Sequence, residues 1–179
     1  MDNNGSRVPE GLASRWDDPK ISWTLVILTY IIGGAGIALG IYGYADDGAV
    51  QGIHYAVPLM VGAVGVLSFV RHSVFRGSDA RRMGTTSGDP YFQLEVGFAN
   101  GGIGLLALIA FFLDWGVAAE ASLTLAYASY LAMGFLLFTA DKVKSGGIDG
   151  GIIMRAGFWL LQVGFMFFFG IAAAVSAGL

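Results

Sequence analysis

Apolar residues run along this chain in five long blocks separated by short polar stretches, covering about 21–44, 53–70, 91–113, 117–139 and 152–174. Each block has roughly the 20 residues that a helix needs to cross about 30 Å of hydrocarbon. None shows the alternation of a barrel strand, and a lipid-exposed segment can close its backbone hydrogen bonds internally only as a helix. The expected fold is therefore all-α: a polytopic bundle of five transmembrane helices. It forms one domain over residues 21–179, behind a polar N-terminal segment over residues 1–20. The connections read as a Gly/Asp turn at 45–52, a long loop at 71–90 with two turn-rich clusters, a tight Asp114-Trp115-Gly116 turn, and a glycine-rich loop at 140–151.

Within each block the small and polar residues recur at spacings of 3 and 4, which places them on one helix face. The first stripe is Thr29, Gly33, Gly36, Gly40 and Gly43; the second is His54, Pro58, Val61, Gly65, Ser68 and His72. The third block has two such faces, Gln93, Gly97, Asn100 and Gly104 on one side and Glu95, Ala99 and Gly102 on the other, which predicts a central position. The fourth carries Glu120, Thr124, Tyr127 and Gly134, and the fifth Arg155, Trp159, Gln162 and Met166. Small faces let helix backbones approach closely in lipid, where apolar burial does not drive association. A short repeat adds to this: Leu94-Glu95-Val96-Gly97-Phe98 returns as Leu161-Gln162-Val163-Gly164-Phe165, and Gly65-Val66-Leu67-Ser68-Phe69 as Gly134-Phe135-Leu136-Leu137-Phe138. The matches suggest a tandem hairpin repeat, with Gln162 as the counterpart of Glu95.

Charge orients the bundle. All 10 Lys and Arg residues fall before the first block, between the second and third, or between the fourth and fifth. Cationic loops stay in the cytoplasm, so the expected topology is N-terminus in and C-terminus out, in the plasma membrane. Asp46, Asp47, Asp114 and Glu120 then lie outside with no cation beside them. Trp16 and Trp23 suit the headgroup layer at the entry to the first span.

Composition narrows the classes. Only 13% of residues are charged and mean hydropathy is +0.67, against about 25% charge in soluble domains. A net charge of −3 argues against nucleic acid as a partner, and the absence of cysteine excludes disulfides and thiol chemistry. No apolar segment precedes the first span, so a cleaved signal peptide is not expected. No Ser-His-Asp set, phosphate loop, His-Glu-x-x-His or dinucleotide fingerprint stands in the sequence, which turns the reading away from an enzyme.

Glu95 is the sharpest candidate site, because a carboxylate inside a span costs about 2.5–3.5 kcal/mol on insertion scales. It reads either as a proton or cation site or as the partner of Arg155, which enters the fifth span from the same side. Asn100 and Gln162 lie near mid-depth and read as interhelical hydrogen-bond partners or ligand contacts. His54 and His72 are 18 residues apart on one helix, about 27 Å, so they cannot ligate one haem, and no cofactor is expected. His54, Asp46, Asp47, Asp114 and Glu120 are the outer residues from which a divalent-cation site would be built, although the expectation is no metal. Arg71, Arg76, Arg81 and Arg82 would attract anionic lipid headgroups.

The stretch Glu95-Val96-Gly97-Phe98-Ala99-Asn100, followed by Gly101-Gly102-Ile103-Gly104, resembles a segment of an uncharacterised prokaryotic family of small multi-pass membrane proteins. The resemblance covers the C-terminal half and implies a membrane helical bundle with no assigned catalytic residue. Such a family would place a histidine near the inner end of the fourth span, where this chain has Ala140-Asp141. The leading expectation is a non-enzymatic packing or assembly subunit, or a small homo-oligomer. Its rivals are a proton- or cation-coupled carrier or channel using Glu95, and a quinone- or lipid-binding subunit of a membrane enzyme.

Overall fold

The structure is a computed structural model that describes residues 15–83, 90–145 and 150–179. Most of the polar N-terminal segment, the Thr85–Asp89 cluster and the centre of the glycine-rich loop lie outside the described residues. Every regular element among the described residues is helical: α1 (Pro19–Val57), α2 (Val64–Phe69), α3 (Arg76–Met83), α4 (Pro90–Phe112), α5 (Val117–Ser145) and α6 (Gly150–Ser176). Among the described residues, four helical stretches are long and apolar enough to cross a membrane: Pro19–Val74, Tyr91–Phe112, Val117–Ala140 and Arg155–Ser176.

The first of these is folded on itself. Asp18 caps α1, its carboxylate accepting from the Lys20 N–H at 2.9 Å, and Pro19 follows where its missing N–H costs nothing. The helix breaks at Asp47 (φ −139°, ψ 25°) and Gly48 (φ 82°). Gly48 adopts a left-handed conformation that only glycine reaches without strain. The two limbs, 19–46 and 49–74, then pack antiparallel. The Gly/Asp turn expected at 45–52 is thus present but shorter, with two non-helical residues. The second limb is not a plain α-helix: π-helical turns occupy Pro58–Ala63 and Val70–Val74. Pro58 has no N–H to give the preceding turn, which explains the first widening.

Glycine decides how closely the limbs approach. A Cβ on Gly36 would stand 2.7 Å from the Met60 backbone nitrogen, and one on Gly43 would stand 2.8 Å from the Gln51 carbonyl oxygen. A Cβ on Gly40 would meet the Phe169 ring at 2.6 Å and Ala56 at 3.0 Å, so the same stripe also receives α6. The second limb crosses α4 in the same way, a Cβ on Gly65 falling 2.7 Å from both the Asn100 oxygen and the Gly104 Cα. Fully buried Ile53, Met60, Val61, Tyr127, Met166 and Phe169 fill the space between these crossings.

Three expectations change. α4 is not central: Gly97, Asn100 and Gly104 are buried, but Glu95, Ala99 and Gly102 on the opposite face are exposed. The 71–90 loop is partly helical, with the second limb running to Val74 and α3 following at once. The expected 140–151 loop is shortened, because α5 continues to Ser145.

Replacing Gly36 or Gly40 with leucine should therefore destabilise the fold itself, by about 1–3 kcal/mol or more each. Gly34→Leu should be tolerated, since nothing stands within 4 Å of a Cβ there. Size-exclusion profiles and thermal unfolding in detergent check this; equal stability of Gly36→Leu and Gly34→Leu would refute the close crossing.

Candidate functional site

The densest polar cluster lies where α3 folds back onto the first turn of α1. Two serines start it. The Ser78 hydroxyl donates to the Asp18 carbonyl oxygen at 2.5 Å and accepts the Ser22 backbone N–H at 2.9 Å. It thereby ties the beginning of α1 to α3. Gly77 lets the chains meet, since a Cβ there would collide with the Asp17 carboxylate.

Asp79 occupies the centre and is fully buried. Its Oδ1 accepts from the Ser22 hydroxyl at 2.6 Å and from Arg82 Nη2 at 2.9 Å and Nε at 3.2 Å. Arg71 Nε stands 3.7 Å away, and His72 Nδ1 lies 3.0 Å from Oδ2. The geometry assigns the His72 tautomer. Arg71 Nη2 sits 2.8 Å from His72 Nε2, and a guanidinium can only donate, so Nε2 accepts and Nδ1 carries the proton on the edge that faces Asp79. Arg82 is also seated over the Trp23 ring, 5.5 Å from its centroid. Burial alone would push the Asp79 carboxyl up. The His72 imidazole beside it and the Arg71 charge outweigh that, and hold it well below the usual carboxylate range.

A second polar group lies deeper, between α4 and α5. Asn100 is buried; its amide donates to the Val96 carbonyl at 2.6 Å, and its oxygen accepts from the Tyr127 hydroxyl at 2.7 Å. Tyr130 stands 3.4 Å from the Asn100 amide, and Ser68 of α2 is buried nearby. Gln162 is buried against Gly33, with its amide 3.5 Å from the Met60 carbonyl oxygen.

The remaining expected residues are dispersed. Glu95 is exposed on α4, and Arg155 is half-buried on α6. Glu95 and Gln162 do not meet across a pseudo-axis, because Gln162 faces the first limb. At the opposite end of the bundle His54 and Glu120 pair at 2.8 Å. Asp46, Asp47 and Asp114 are exposed, and among the described residues no three His, Asp or Glu side chains gather as a metal site. Asp79, Ser22 and Ser78 were not singled out from the sequence. The available signal was the Asp79–Arg82 spacing of three, which suits an ion pair on a helix.

A family model matches residues 20–144, which spans α1 through α5. The chain belongs to this family of unknown function, DUF6790. No curated protein and no solved structure matches the chain. As in the rest of the fold, the DUF6790 match includes the Glu95–Asn100 segment, and it also takes in the Asp79 cluster. It therefore reaches further toward the N-terminus than the resemblance over the C-terminal half implied.

Removing the Asp79 charge should cost about 3–5 kcal/mol, as breaking a buried ion pair does. Because its folded value is depressed, the ionised carboxylate stabilises the fold above the unfolded value of about 4. That contribution is lost as pH falls below it. The gap in thermal stability between the native protein and Asp79→Asn should therefore be wide at pH 7 and narrow toward pH 3. A gap independent of pH would show that the carboxylate does not act through its charge.

Proposed function

We propose that this chain is a five-span plasma-membrane protein, N-terminus cytoplasmic and C-terminus outside, that serves as a non-enzymatic packing or assembly component. One observation carries the membrane reading: large apolar side chains are exposed along the whole length of the bundle. Ile31, Phe98, Met133, Leu137 and Ile171 are between 53% and 73% exposed, more apolar surface than water tolerates on a monomer. The five-span count follows from treating the two limbs of the first hairpin as separate crossings.

Charge supports the orientation. Lys20, Arg71, Arg76, Arg81 and Arg82 stand at the end of the bundle that holds α3, and Lys144 closes α5 on the same side. Asp46, Asp47 and Asp114 stand at the other end. Of the four arginines facing the cytoplasm, Arg71 and Arg82 are taken up by Asp79, which leaves Arg76 and Arg81 for anionic headgroups. Arg81 also reaches Asp17 at 3.4 Å.

Asp79, Asn100 and Glu120 are each held by neighbouring side chains, which favours packing over transport. Glu95 lies on an exposed face instead of lining a passage. The groove along Leu160, Leu161, Gly164, Phe165 and Phe168 is shallow and open, unlike an enclosed quinone pocket. Because the glycine stripe of the first limb is filled within the chain, association with other subunits would use the exposed faces.

Reporter fusions test the topology. An alkaline phosphatase fused after Leu179 should be active and a fluorescent protein there dark, with the reverse pattern for fusions in the Ala140–Gly151 connection. Inverted results would overturn the orientation, and equal results at both positions would overturn the five-span count.

A further inference from the structure

The end of the bundle away from α3 carries a titratable contact that the packing reading does not use. Glu120 is only 2% exposed, although it opens an apolar helix, and its carboxylate is held by His54 Nδ1 at 2.8 Å. His54 belongs to the second limb, is one-third exposed, and lies against the Phe111 ring. One ring edge thus meets solvent while the other meets a buried acid. One helical turn deeper on the same face of α5, the Thr124 hydroxyl is fully buried and has no hydrogen-bond partner. A buried hydroxyl is rarely left unpaired without a reason. Besides His54, the charged group that bears on Glu120 is Asp114, in the turn before α5.

We propose that Glu120 is a proton-binding site loaded from the outer face through His54, and that its protonation releases the second limb from α5. The contact has three protonation states. With no added proton, the neutral imidazole donates to the carboxylate. With one, imidazolium and carboxylate form an ion pair in a poorly solvated place, the tightest of the three states. A second proton neutralises the acid. The imidazolium then has no counter-charge and moves to water, which its partial exposure allows. The new carboxyl O–H needs an acceptor, and the Thr124 oxygen, four residues and about 6 Å further along the axis, is buried and unused. The proton enters from water at His54 and remains on Glu120; nothing else is consumed.

This inference rests on the membrane reading above, but its test does not depend on orientation. The chain has no cysteine, so Val50→Cys and Ala118→Cys, both at exposed positions, give a unique spin-label pair across the contact. Distances are measured in nanodiscs, where both faces are bathed, between pH 8 and 4. The native contact should give one short distance at neutral pH and a longer population at the acid end of the range. Glu120→Gln mimics the protonated acid, so its separation should need one proton fewer and set in at a higher pH than in the native protein. His54→Gln should abolish the response. Thr124→Val, lacking the acceptor, should lower the midpoint by roughly half a unit or more. A native distance that does not change with pH overturns the proposal, as does the same midpoint in the native protein and Glu120→Gln. A failed topology would show only in the reporter fusions and leave this titration standing.

Discussion

The bundle depends on backbone-to-backbone contact at glycine. In hydrocarbon a leucine gains nothing by facing another helix instead of a lipid chain, so association must come from van der Waals fit and polar ties. The first limb meets the Met60 backbone at Gly36, and the second limb meets α4 where Gly65 faces Gly104. A methyl group at any of these points would push two helices apart along their whole length. The large residues of the core, Tyr127, Phe169 and Met166, then fill the gaps that these crossings leave.

The polar ties have a different job at each level. At the cationic end a single carboxylate, Asp79, draws in side chains from the first turn of α1, the end of the second limb and α3 itself. It gathers three pieces of chain that apolar packing alone would not order. At mid-depth, Asn100 and Tyr127 satisfy each other and join α4 to α5. At the far end the tie is a lone imidazole–carboxylate pair. The two ends are thus unequal. One has two guanidinium groups around its acid, while the other has a single partly exposed imidazole.

What was legible in the sequence was whatever depends on periodicity along one helix. The apolar blocks became helices close to their expected bounds, and Gly33, Gly36, Gly40 and Gly43 form a buried face, as their spacing implied. Asn100 and Gln162 were also found buried and hydrogen-bonded. What was not legible depends on how distant segments fold back. Ser22 and Asp79 are 57 residues apart, and nothing local says that α3 returns to the start of α1. α4 shows the limit from the other side. Both of its faces are small, and the sequence could not say that the Gly97–Asn100–Gly104 face is buried while Glu95 stays outside.

The reversal at Asp47–Gly48 has a consequence for how the hairpin closes. Two non-helical residues leave no slack between the limbs, and the turn carries acids without a cation to hold it back at the membrane surface. Limb one presents a strip of bare glycine backbone that only limb two and α6 cover. The pair therefore closes as one unit with almost no loop between its halves. Lengthening that turn would raise the entropy cost of closing it even where every contact in the finished protein remained available.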